Sequence, residues 1–102
     1  MNPKVPYYAV IFTSQRTEIA DGYSEMAERM MALARQQPGF LGVESARETL
    51  GITVSYWETL EAISNWKMQT DHLVAQRKGI ADWYSSYTVR VCLVEREYGK
   101  AE

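Results

Sequence analysis

One cysteine, Cys92, and one histidine, His72, are all that 102 residues offer of either. A single cysteine forms no intrachain disulfide. Its neighbours Val91, Leu93 and Val94 predict a buried small hydrophobe, and a reducing, cytoplasmic setting is the expectation. One histidine and one cysteine without ligand spacing supply no metal site, so no metal is expected. Basic stripes are absent too. Lys and Arg number 11 against 13 Asp and Glu, they are scattered, and the net charge is −2. Nucleic acid and anionic membranes are therefore excluded as partners. The longest apolar run, Tyr7 to Phe12, is too short to span a bilayer, and MNPKVPYY lacks the apolar stretch of a signal peptide. No phosphate loop, nucleophile elbow or dinucleotide fingerprint occurs, which leaves no cofactor implied.

What is present is aromatic. Seven Tyr, three Trp and two Phe accompany 46% hydrophobic and 24% charged residues, a globular balance. The length predicts one domain over residues 1–102, with a core from about 5 to 98. Tyr7 to Phe12 is apolar, β-branched and aromatic, which predicts a strand covered on both faces. From Ile19 to Gln37, Tyr23, Met26, Met30 and Leu33 recur at helical spacing, with Thr17 or Asp21 as cap and Pro38-Gly39 as stop. Phe40 to Glu48 and Ile52 to Trp57 predict a hairpin. Thr59 caps a second helix carrying Trp66. The pattern breaks there and resumes from Thr70 or Asp71 to Lys78, with Gly79 as its stop. Ile80 to Ser86 reads as an irregular aromatic bridge, and Tyr87 to Glu97 as the last strand. The order β-α-β-β-α-β is that of a ferredoxin-like α+β fold: four antiparallel strands with both helices on one face. One sheet face is left open, and pairing two such faces makes a dimeric α+β barrel.

Three features then coincide with this order. They are Pro38-Gly39-Phe40 after the first helix, the block from Tyr56-Trp57 through Glu61-Ala62, Trp66 and His72, and a closing strand running into Val94-Glu95-Arg96. With them the chain resembles the antibiotic biosynthesis monooxygenase domains, dimeric α+β barrels, over roughly residues 5 to 98. The resemblance implies a cleft in each subunit. Among its members are cofactor-independent oxygenases that turn aromatic phenols into quinones, and haem-degrading enzymes. The haem-degrading branch uses an Asn on the first strand, a Trp on the second helix, and a His about three helical turns later. Trp66 matches. The first strand offers Phe12-Thr13-Ser14-Gln15 instead of Asn, the His position falls near Gln76, and His72 comes about one turn early. Haem degradation is therefore the disfavoured branch.

The leading expectation is a monooxygenase without metal or flavin, acting on a small aromatic or electron-rich molecule. His72 is its candidate base and Trp66 its catalytic partner. Trp57, Trp83, Phe12 and Arg90 are the candidate substrate-binding residues. Arg90 in an apolar strand calls for a carboxylate or an anionic ligand, and Glu44 and Arg47 are expected beside it on the open sheet face. The competing reading is a non-catalytic dimeric module that binds a small ligand or serves as structure. A cleft filled by Trp57, Trp66 and Trp83 points to the module. A pocket lined by Trp66, His72 and Arg90 points to the enzyme.

Overall fold

The computed structural model describes residues 4–75 and 83–100. Six elements follow in the expected order: β1 (Tyr7–Arg16), α1 (Tyr23–Arg35), β2 (Phe40–Arg47), β3 (Leu50–Trp57), α2 (Leu60–Ala75) and β4 (Tyr84–Val94). The strands form one antiparallel sheet in the order β2-β3-β1-β4. α1 packs on β2, α2 on β3, and the helices on each other. This is the ferredoxin-like α+β fold that the element order predicts.

Strand alternation divides the side chains between two faces. Tyr8, Val10, Phe12, Ser14 and Arg16 of β1 point toward the helices. They align through the register with Trp57, Ser55, Thr53 and Gly51 of β3 and with Leu93, Val91, Val89 and Tyr87 of β4. The core forms where Val10 and Trp57 meet Ala62 and Ile63 of α2 and Ala34 of α1. Tyr7, Ala9, Ile11, Val54, Tyr56 and Cys92 face the other way and line a concavity of about 630 Å³, which Arg96, Glu97 and Tyr98 also border. The Tyr7 hydroxyl donates to Glu97 Oε1 at its end.

β1 runs four residues past Phe12, because the polar stretch Thr13–Arg16 is held by ladders on both sides, to β3 and to β4. β4 begins three residues earlier than Tyr87, paired to the end of β1. α1 starts at Tyr23 rather than Ile19. Its N-cap is Gly22 at φ 77°, with no side-chain cap, so neither Thr17 nor Asp21 caps it. The Thr17 hydroxyl instead accepts from the Ile19 amide at 3.2 Å. α2 is continuous through the expected break, and its capping by Thr59 stands: the Thr59 hydroxyl accepts from the Ala62 amide at 3.0 Å. The expected stop at Gly79, the Gln76 position and the first three residues of the expected aromatic bridge lie outside the described residues, and its Tyr84–Ser86 part is strand rather than irregular. Cys92 is half-buried on the concave face rather than in the core, since β4 turns it away from the helices.

Pro38-Gly39 follows the end of α1 and sets the approach of α2. Gly39 takes φ 88°, its carbonyl accepts from the Glu58 amide at 2.8 Å, and a Cβ there would lie 2.8 Å from that of Ala62. Positive φ and this close approach both demand glycine. Gly39→Ala should lower unfolding free energy by about 2 kcal/mol through strain and displacement of α2. Urea unfolding monitored by tryptophan fluorescence will read this as a lower midpoint.

Candidate functional site

The side of the sheet that faces the helices carries most residues of the candidate cleft. At one end stands Trp57, fully buried at the end of β3. Its indole N–H donates to Ser55 Oγ at 2.9 Å, Phe40 meets it edge-on with centroids 5.3 Å apart, and Trp66 lies against it at 5.0 Å with a 31° tilt. Trp66 reaches this place because it sits two turns into α2, on the side of Ala62 and Ile63 that seals the core. Trp66 Nε1 is buried and finds no hydrogen-bond acceptor among the described residues. An unsatisfied buried indole N–H costs about 1–3 kcal/mol and invites an acceptor.

The opposite end is built by the turn from β1 into α1. Trp83, 3% exposed, latches it: its indole N–H donates to the Asp21 carbonyl at 2.8 Å, and its own carbonyl accepts from the Thr17 amide at 2.9 Å and from Arg16 Nε at 3.1 Å. The Arg16 guanidinium lies 3.4 Å over the Tyr23 ring, a cation–π contact. Phe12 stacks on Tyr87 at 5.5 Å and meets Tyr84 edge-on at the same distance. Burial first, then the hydrogen bond shared with Tyr23, pushes the Tyr84 hydroxyl above the usual phenol range, while Arg47 and Arg16 pull it down. Between the two ends, Val89, Val91 and Leu93 of β4 stay about half exposed, so this flank is open to solvent.

The candidate residues thus fall into distinct places. Trp57 and Trp66 are in contact. Phe12 and Trp83 belong to the far end on the same side of the sheet. Arg90 pairs with Ile11, is exposed on the concave face, and is separated from Trp66 by the sheet itself. His72 is exposed on α2. Because α2 is unbroken, six residues place His72 about 120° around the helix from Trp66. Lys67 takes the carboxylate next to it in the chain, with Nζ 2.7 Å from Asp71 Oδ2. Glu44 does lie on Arg90's face, where its Oε1 accepts from the Tyr56 hydroxyl at 2.7 Å. Arg47 does not: strand alternation from Gly51 puts it on the helix side, where Nη2 donates to Ser14 Oγ. Ser14 and Tyr87 are not among the candidates that the sequence offers. Their signal was the polar extension of an apolar strand, which has meaning only once the ladders on both sides are known.

On the concave face, the hydrogen bond to Glu44, together with partial burial, raises the Tyr56 hydroxyl to about 12. A phenol raised on folding favours the fold while protonated, so its contribution is complete below pH 10 and lost as pH rises toward 12. Spectrophotometric titration should show Tyr56 ionising late, alongside the raised Tyr84. Glu44→Gln should move one of the late tyrosines back toward pH 10, and an unmoved curve would separate Tyr56 from Glu44.

Similarity to known proteins agrees with this architecture. The family model described as antibiotic biosynthesis monooxygenase matches residues 6–78. YqjZ, an uncharacterised protein of Bacillus subtilis (strain 168), is 56% identical over 97 residues, spanning 93% of this chain and 85% of that one. SnoaB, a cofactor-independent oxygenase from Streptomyces nogalater, superposes with a TM-score of 0.68 at 15% identity, over 96% of this chain and all of SnoaB. A variant of MhuD with two manganese protoporphyrin IX molecules bound per active site superposes at 0.65 and 21% identity, over 91% of this chain and 99% of that one. The two superpositions establish a shared fold.

Proposed function

The chain belongs to the antibiotic biosynthesis monooxygenase family, and we propose that it is a monooxygenase needing neither metal nor flavin, acting on a small phenolic molecule. The observation that carries this reading is the buried indole N–H of Trp66, which lacks an acceptor among the described residues beside the aromatic wall of Trp57. A phenolate oxygen supplies the acceptor, and the hydrogen bond favours the anion over the phenol. The phenol loses its proton to solvent. The anion passes one electron to dioxygen, and the resulting pair of radicals joins at the ring carbon para to the oxygen. Loss of that carbon's hydrogen as a proton and cleavage of the O–O bond leave one oxygen in the quinone and the other in water. The protein's part is to hold the ring and stabilise the anion. The cofactor-independent oxygenase SnoaB, with the same fold, supports this reading.

A second reading has its own observation. Trp57 and Trp83 are both buried and hydrogen-bonded within the chain, which spends two of three tryptophans on packing. That is the design of a module that binds a small ligand without turnover. Oxygen uptake by purified, chelator-treated protein against a panel of polycyclic phenols decides between them. Uptake that requires both protein and one phenol class is expected. Trp66→Phe, which keeps the ring and removes the donor, should reduce kcat about a hundredfold. His72→Ala should stay within about twofold, because the helix turns His72 away from Trp66. Phenol binding without uptake would establish the module, and a loss on His72→Ala equal to that of Trp66→Phe would restore His72 as the base.

We further propose that the concave face pairs with a second copy. Leu50 and Ile52 are exposed there at 45% and 41%, beside the apolar concavity. In such a pair Arg90 meets the partner rather than the cleft. The protein should sediment as a dimer at micromolar concentration, and Ile52→Lys should give a folded monomer. A monomeric native protein would overturn the pairing.

A further inference from the structure

The helix-facing side of the sheet carries a feature that the oxygenase reading does not use. Arg47, Gly51, Ser14 and Tyr87 form one cross-strand row running through all four strands. Arg47 lies along this row over Gly51: a Cβ at Gly51 would overlap the Arg47 guanidinium, so any larger residue there must push the guanidinium aside. The guanidinium reaches Ser14 Oγ, on a residue that is 1% exposed. Arg47 is exposed at the surface, and among the described residues no carboxylate lies within ion-pair distance of it. The neighbouring Arg16 is committed to the carbonyls of Trp83 and Ile19 and to the Tyr23 ring. Both cations bear on the Tyr84 hydroxyl, which places them at the same end of the cleft. A guanidinium presents five donors in a planar fork suited to a carboxylate, and a buried hydroxyl occupies one of them. Beside it, Phe12 and Tyr87 offer stacked ring surface, and Tyr87 is 62% exposed.

We propose that Arg47, seated on Gly51 and oriented by Ser14, is an anchor for the carboxylate of an aromatic acid whose rings lie against Phe12 and Tyr87. The proposal rests on the oxygenase reading for the chemistry at the other end of the cleft, and narrows its substrate to phenols that carry an acid group. Arg47 is a binding residue; Gly51 and Ser14 are positioning residues that act through it.

The test compares 2-naphthoate with 2-naphthol, equal in ring surface and different in charge, by quenching of protein fluorescence at neutral pH. The native protein should bind naphthoate roughly ten- to a hundredfold more tightly than naphthol, the increment of a charge-assisted contact. Arg47→Gln should bring the two to parity while leaving naphthol unchanged, and Arg47→Lys should keep part of the preference. Gly51→Ala should lose it as well, with Arg47 still present, a result that loss of charge alone does not give. Circular dichroism confirms that each variant folds, and Arg47→Lys carries the test if Arg47→Gln does not. Equal binding of the two probes, no binding of naphthoate up to the millimolar range, or a preference that survives Arg47→Gln overturns the anchor. Preference for naphthoate with no oxygen uptake from any phenol would sustain the anchor and reject the oxygenase. Uptake from neutral phenols that Arg47→Gln leaves intact, without the preference, would do the reverse.

Discussion

The burial of Trp57 is the constraint on which the fold and the cleft depend. Full burial of an indole is worth about 3–5 kcal/mol against its removal, a large share of the margin of a chain this short. It holds only if the N–H is satisfied, and Ser55, two residues earlier on the same face of β3, does this within the strand. Phe40 on β2 and Trp66 on α2 then close on the ring from two sides. The Gly39 turn that ends α1 and the Thr59 cap that starts α2 are the local devices that bring those partners into place. Trp66 is thereby fixed with its own N–H buried, and the site inherits its donor from the core.

The other end of the cleft is governed by polar restraint rather than by apolar burial. Trp83 uses its indole N–H and its carbonyl to tie the start of β4 to the turn after β1. Arg16 satisfies carbonyls that the turn leaves exposed and covers Tyr23. Backbone groups outside a regular ladder need such partners, and this latch is what brings Tyr84 and Tyr87 over Phe12. The two ends thus differ in kind: one is a closed apolar wall with a single donor, the other a cationic and phenolic rim open to water.

Arg90 and Arg47 show how a strand assigns function by parity. Each is a cation in or near an apolar strand, and local sequence groups them with Glu44. A shift of one residue exchanges the faces of a sheet. The register puts Arg90 and Glu44 on the concave side and Arg47 on the helix side. His72 illustrates the helical counterpart. A break after Trp66 would have let His72 turn toward the cleft, whereas the continuous α2 carries it away.

The sequence by itself determined the element order, the ferredoxin-like α+β fold, the stop at Pro38-Gly39, the Thr59 cap and the family, because these depend on local periodicity, capping chemistry and short-range turns. Tertiary structure alone decided which aromatic residues are core and which are rim, because Trp57, Trp66 and Trp83 have the same intrinsic hydrophobicity and differ only in what packs against them. It also decided the sharing of Ser14 by three strands and the seating of Arg47 on Gly51. The Ser14 contacts join residues 33 positions apart or more, across ladders whose register no single segment encodes, and Arg47 reaches Gly51 within the hairpin.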